Sequence, residues 1–179
     1  MAAKHLFFLC AAMACAAPAW SYTCDTKSRP MSTPTERFKD NGDGTLTDSQ
    51  TGLTWMRCSL DQSWNGVTCK GTPGGYAWQG ALDAANQLNK KGGYAKHSDW
   101  RVPHVPELAM IAERQCANPR INLTLFPATP AAPFWSATPR KGFDNDAYIL
   151  SFGPEGATPG DKAEARFVRL VRGGKGAQH

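Results

Sequence analysis

No apolar run in the chain approaches the roughly 20 residues that a membrane helix needs. No block of Lys or Arg stands out, and no basic motif of the known nucleic-acid folds is present, so nucleic acid is not an expected partner. His97 and His104 lack the spacing of a zinc-protease pair, and Ser136 has no nucleophile-elbow glycines around it. Neither pattern supports metal, general-base or acyl-transfer chemistry. Cysteine is sparse, six in 179 residues, with none after Cys116. There is no internal repeat and no Gly-X-Y run, which excludes a collagen-like stalk.

What is present begins with Met1 to Cys24, MAAKHLFFLCAAMACAAPAWSYTC. Lys4 gives a positive start, and Leu6 to Ala14 is apolar but too short to span a bilayer. Ala17-Pro18-Ala19 and Ala19-Trp20-Ser21 both offer small residues where a signal peptidase reads them. Residues 1–21 therefore read as a secretory signal peptide, and the mature protein is expected in the periplasm or outside the cell, where thiols oxidise. About 160 residues remain, enough for one domain with a real core. Hydrophobic content of 41% excludes general disorder, and 13 Pro with 17 Gly imply a loop-rich domain. Without Lys4 there are 19 Lys and Arg against 15 Asp and Glu, a net charge of +4. That mild excess suits a solvated surface, or attraction to an acidic polysaccharide.

Cys10 and Cys15 fall inside the signal, leaving Cys24, Cys58, Cys69 and Cys116. Four cysteines allow three pairings. The favoured one joins Cys58 to Cys69 across a short loop and ties the N-terminal arm to the domain through Cys24 and Cys116. Lipid attachment at Cys15 is disfavoured, since Ala12-Met13-Ala14 lacks the usual Leu. A zinc site is disfavoured for want of a close Cys pair.

Residues 22–36 are polar, broken by Pro30 and Pro34, and read as an extended arm outside the core. The domain is expected over 37–174, with a disordered tail at 175–179. Asn41-Gly42 and Asp43-Gly44 carry turn chemistry, Thr45 to Asp48 alternates like a strand, and Leu53 to Arg57 is a second strand. Cys58 to Gly75 reads as a loop containing Trp64. Trp78, Ala81, Leu82, Ala85 and Leu88 share one helical face over 78–91, which Gly92-Gly93 ends. Pro106-Glu107 opens a second helix expected to run to about Arg114. Phe134–Thr138, Ala147–Phe152 and Ala165–Arg172 read as strands, with a Gly/Pro-rich stretch over 153–160. Strands, then two helices, then strands give an α+β class with a mostly antiparallel sheet and long loops.

Several of these residues occur together in one bacterial family. Arg37-Phe38, Asn41-Gly42-Asp43-Gly44-Thr45, Asp48 and Thr51-Gly52-Leu53-Thr54-Trp55 resemble the opening of the Lcl C-terminal domain, named for a collagen-like adhesin. Trp78 with Ala81-Leu82, Ser98-Asp99-Trp100-Arg101-Val102-Pro103, Glu107-Leu108, Ile121-Asn122, Phe126-Pro127, Phe134-Trp135-Ser136 and Val168 to Gly174 follow in the family's order. The resemblance implies a C-type-lectin-like fold, distantly similar to the formylglycine-generating enzymes, on a secreted or surface domain. It also implies glycosaminoglycan binding of the kind the adhesin shows. Those enzymes bind copper through a late cysteine pair, which this chain lacks, so oxidase activity is not expected.

The remaining motifs read mainly as structure. Asp40, Asp43 and Asp48 with Asn41 resemble a calcium loop, but their spacing is not that of an EF-hand, and capped hairpin turns account for them better. No other cofactor is expected. Asp99 and Arg101 are expected to pair with each other or with backbone, and Trp100 to fill the core. Glu107 is expected to cap the second helix or accept from Arg101. Trp55, Trp78, Trp100 and Trp135 read as core, whereas Trp64 is the aromatic expected to be free for a ligand. Arg140, Lys141, Arg166, Arg169, Arg172 and Lys175 make the C-terminal part basic. Some must be paired at sheet edges, and Arg140 and Lys141 are the leading contacts for a polyanion. The expected function is thus a non-enzymatic binding or structural domain of the envelope or surface that recognises acidic glycans. The alternatives are an enzyme with an unrecognised site, or a structural partner of an envelope protein.

Overall fold

The computed structural model describes residues 22–174. The signal-peptide and tail readings fall on 1–21 and 175–179, outside the described residues. Among the described residues, eleven short strands, two α-helices and long connections make an α+β fold with antiparallel sheets. This arrangement is compatible with a C-type-lectin-like fold.

The first sheet starts where the turn chemistry placed it. Strands β2 (Phe38–Asp40), β3 (Thr45–Asp48) and β4 (Leu53–Met56) form a meander. The first turn needs Gly42 and Gly44 at φ +77° and +86°, a region open to glycine without steric cost. A fourth strand, β11 (Val171–Gly173), pairs with β4 and sets Val171 opposite Trp55. The second sheet is β8 (Pro133–Pro139), β9 (Asp146–Ser151) and β10 (Ala157–Asp161), with β9 in the centre. Strand β10 occupies the end of the Gly/Pro-rich stretch over 153–160. It is an edge strand, where Pro159 can sit without breaking an interior ladder.

Helix α1 (Trp78–Lys90) forms as its spacing predicts, burying Ala81 and Ala85 and half-burying Trp78, Leu82 and Leu88. Helix α2 (Val105–Ala109) is shorter than expected. The chain leaves it because the Glu113 N–H donates to Arg120 O and Ala112 bridges Ile121, yet Ile111 still reaches the core. Glu107 does both jobs foreseen for it. It accepts the His104 N–H at 2.7 Å and takes both prongs of Arg101 at 2.6 and 2.7 Å. Asp99 departs from expectation by pairing with Arg172 at 2.7 Å.

The long strand expected over 165–172 is a strand only from Val171. Residues 166–170 run between the two sheets and bond to both sides. Trp135 N–H donates to Phe167 O, Leu60 N–H to Val168 O, and Met56 N–H to Leu170 O. Val168, Arg169 and Leu170 are all fully buried, which is why this segment shows no alternation of polar and apolar residues. It joins a cluster around Trp55, Phe126, Phe134 and Phe152 to one around Trp100, Trp135 and α1.

Two small ladders complete the fold. Strands β5 (Ser63–Trp64) and β6 (Cys69–Lys70) make a hairpin inside the stretch expected to be a loop. The Asn65 side chain accepts from the Val67 and Thr68 N–H groups at its turn. Strands β1 (Thr23–Cys24) and β7 (Cys116–Ala117) pair antiparallel, with Cys24 opposite Cys116. The disulfides are Cys24–Cys116 and Cys58–Cys69, the favoured pairing.

The arm is more firmly built in than its composition suggests. Thr33 is fully buried, and Asn122 donates to Thr33 O at 3.0 Å. The fully buried Glu113 carboxylate accepts from Ser32 N and Oγ, Thr33 N and Oγ1, and Gln115 N, at 2.7–3.0 Å. A domain edge drawn at residue 37 passes through these contacts.

Candidate functional site

The three calcium candidates do not converge. Asp48 is buried and ion-paired to Arg37, and also accepts from Thr51 Oγ1 and Gln50 N. Burial would raise its carboxyl, but the Arg37 guanidinium and these donors hold it below the usual range. Asp43 accepts from Thr45 N and Oγ1, whereas Asp40 caps Gly42 N and pairs with Arg57 at 2.5 Å. Each carboxylate closes its own turn or ion pair. Among the described residues no group of three or more His, Cys, Asp or Glu side chains is arranged to hold a metal ion.

Trp64 is half-buried rather than free. The Arg57 guanidinium lies 4.2 Å from its ring centroid, and Gly44 leaves no room for a Cβ against Trp64 and the Tyr94 hydroxyl. The exposed apolar side chain of that hairpin is Val67. Arg140 is ion-paired to Asp146 at 2.8 Å and stacked 3.5 Å from the Phe143 centroid. Arg166 pairs with Glu164, Arg172 with Asp99, and Arg169 is buried. Of the C-terminal cations within the described residues, Lys141 is the one exposed without an ion pair.

Unpaired cations gather elsewhere, at the junction of arm and domain. A cleft of about 570 Å³ is lined by Arg29, Arg114 and Arg120, with Asp25, Gln115, Pro154 and the Cys24–Cys116 pair. Among the described residues none of these three arginines forms an ion pair. Asp25 is the single carboxylate in the lining, and it is turned to local work. Its oxygens accept from the Ser28 hydroxyl and the Ser28 and Lys27 N–H groups, and these bonds, with a smaller contribution from the Arg29 charge, hold its carboxyl below the usual range. The lining therefore carries three positive charges against one negative.

Backbone bonds explain why residues so distant in sequence meet here. The β1–β7 ladder sets the arm beside Cys116, and Asp25 N–H donates to Gln115 O at 2.8 Å. Gln115 Nε2 donates to Arg29 O at 2.7 Å, and Arg114 N–H donates to Ser32 Oγ at 2.8 Å. Glu113 fixes Ser32 and Thr33 from below. Burial alone would raise its pKa, but hydrogen bonds from the Thr33 hydroxyl and the Gln115, Ser32 and Thr33 N–H groups hold it down to about 2. A guanidinium presents a planar fork of donors that matches carboxylate, sulfate or phosphate oxygens. Three arginines lining one open cleft offer donors of the kind that suit such an anion.

A family model described as the Lcl C-terminal domain matches residues 44–172. The chain belongs to the Lcl C-terminal domain family. Comparison with curated proteins returns no match. Membership suggests a bacterial surface-associated domain. The two disulfides are compatible with an extracellular or periplasmic site, and among the described residues no helix is long and apolar enough to cross a membrane. In this Lcl C-terminal domain Arg114 and Arg120 lie inside the matched stretch, while Cys24 and Arg29 lie before it. The arm thus adds one wall of the cleft. Sequence reasoning passed over Glu113 and all three cleft arginines. The available clue was the favoured Cys24–Cys116 pairing, which places Arg29 near the two arginines that flank Cys116.

Proposed function

We propose that the protein is an exported, non-catalytic domain of the bacterial envelope or surface whose arginine cleft takes an acidic group of a polysaccharide. The observation that carries this reading is the cleft of Arg29, Arg114 and Arg120, with no ion pair to these arginines among the described residues. Family membership supports a surface setting, and the leader-like residues 1–21 support export. The cleft is open to solvent, so each contact is modest, and exposed charges are screened beyond about 8 Å at physiological salt. Binding is therefore weak per domain and salt-sensitive. Arg140 and Lys141 sit at the β8–β9 turn, at the other end of that sheet from Pro154 in the cleft wall, and form a separate contact for a longer chain. Phe143, 51% exposed beside them, favours a second reading in which that hairpin tip meets an envelope protein.

Heparin-column retention of the wild type, an Arg114→Ala/Arg120→Ala variant and Lys141→Glu tests this reading. The wild type should be retained and the double variant should elute at clearly lower salt, with Lys141→Glu in between and circular dichroism unchanged throughout. Co-elution of the double variant with the wild type would contradict it, and a larger effect of Lys141→Glu would move the site to the hairpin.

A further inference from the structure

The two disulfides sit in opposite surroundings. Both Cys58 and Cys69 are buried, and the small cavity that Cys58 lines, about 200 Å³, is walled by Met56, Leu60, Leu88 and Tyr94, with Asp61 as its charged group. Cys24 and Cys116 instead form part of the wall of the arginine cleft; Cys116 is as buried as Cys58 and Cys69, but Cys24 is only half-buried. The geometry points to Cys24–Cys116 as a thiol–disulfide exchange site whose reaction partners are small anionic thiols. This chemistry does not depend on the cleft's ligand being a polysaccharide.

Three features of the site act on the exchange step. First, a molecule occupying the cleft lies against the two bonded cysteines, because both line it, and the half-buried Cys24 is the more accessible of them. Second, Arg29, Arg114 and Arg120 line the same space, and cationic neighbours stabilise a thiolate over a thiol. A stabilised thiolate leaves faster when the disulfide is attacked, and the same charges concentrate an anionic attacker. Third, the Tyr22 hydroxyl lies 3.3 Å from Cys116 Sγ and 3.3 Å from Ile121 O. Its one proton is divided between a weak sulfur acceptor and a carbonyl. Once Cys116 becomes a thiolate, sulfur is the stronger acceptor and draws that proton.

The exchange runs in two balanced steps. An incoming thiolate attacks Cys24 Sγ, forming a mixed disulfide while the Cys24–Cys116 bond breaks and its electron pair leaves on Cys116 Sγ. A second thiolate attacks the small-molecule sulfur of the mixed disulfide and releases the Cys24 thiolate. Two thiols are oxidised to one disulfide and two cysteines are reduced, so protons and electrons balance. Glu113 still holds Ser32 and Thr33, and Gln115 still bonds Asp25 N and Arg29 O, so reduction removes the covalent tie of the arm and leaves the core intact.

The test uses the folded, oxidised protein with 2-mercaptoethanesulfonate or cysteamine at matched thiolate concentration and low salt. Samples are acid-quenched, alkylated and read by mass spectrometry at each cysteine. Cys24 and Cys116 should label before Cys58 and Cys69, with the circular dichroism spectrum retained. The sulfonate thiol should react about tenfold faster than cysteamine, and this preference should shrink in high salt, where the Debye length falls to about 3 Å. Arg114→Ala/Arg120→Ala should lose most of the preference. Should that variant misfold, Arg29→Ala, on the exposed arm, should lower it measurably. Equal rates for the two thiols, no labelling at Cys24 and Cys116, earlier labelling at Cys58 and Cys69, or labelling only on unfolding would each overturn the assignment.

Discussion

Replacing Arg169 by Met is expected to cost the domain about 3 kcal/mol or more, out of a typical total of about 5–15 kcal/mol. Arg169 is fully buried with no carboxylate partner among the described residues. Its guanidinium donates to Met56 O at 3.0 Å, to Arg57 O, to Ser59 Oγ at 3.4 Å and to Thr129 Oγ1 at 2.6 Å, and lies 4.9 Å from the Phe126 ring centroid. Burial pulls its pKa down to about 9, so it is still charged at neutral pH. It ties the end of β4 to the loop carrying Thr129. Met fills similar volume but leaves the Met56 and Arg57 carbonyls buried without the Arg169 donor, at about 1–3 kcal/mol each, while Thr129 Oγ1 keeps its bond to Phe126 O. Removing a lone buried charge offsets part of that loss. Thermal unfolding should show a midpoint about 10 °C lower. A variant within 1 kcal/mol of wild type would mean that these bonds add little over the cost of burying the charge. Arg169→Lys should also destabilise, because an ammonium cannot reproduce the fork.

Glu113→Ala should have a comparable effect, again about 3 kcal/mol, with the damage centred on the arm. The substitution strands the Ser32, Thr33 and Gln115 N–H donors that the carboxylate satisfies. Glu113→Gln is also costly, since its NH2 group would face a donor. The pH dependence follows from the direction of the shift. The folded-state pKa of about 2 lies below the ordinary 4.5, so the stability Glu113 supplies is complete above about pH 4.5. It is lost as pH falls from there through about 2. In that window the gap between wild type and Glu113→Gln should narrow with falling pH. Urea unfolding at pH 7, 4 and 2.5 measures it. A gap unchanged between pH 7 and 2.5 would mean that the carboxylate is not the stabilising group.

The parts of this fold that were legible in sequence are those governed by local rules. Helix α1 follows from the spacing of Trp78, Ala81, Leu82, Ala85 and Leu88, and the first meander from its Asn-Gly and Asp-Gly turns. The family resemblance was carried by residues that turn out to be core, such as Trp55, Trp100 and Trp135. What local rules missed depends on tertiary placement. Residues 166–170 lie between two sheets, so no periodicity marks them. Asp99 found Arg172 rather than Arg101 because Arg101 was already taken by Glu107. Trp64 looked free in a polar stretch, but Arg57 reaches it from the strand end next to that stretch. The arginine cleft was least legible of all, since Arg29 is brought to Arg114 and Arg120 through tertiary links: the Cys24–Cys116 bond, the bonds of Gln115 to Asp25 and Arg29, and the Glu113 contacts.

The central claim is that this cleft, rather than the β8–β9 hairpin, receives an acidic ligand. An NMR titration of the oxidised domain with a sulfated disaccharide tests it most directly, reading arginine Nε–H and backbone amide signals together. Saturating shifts concentrated at Arg29, Arg114, Gln115 and Arg120, and reduced by added salt, are the predicted result. Shifts confined to Arg140, Lys141 and Phe143, or no saturable shift at the cleft, would contradict the account.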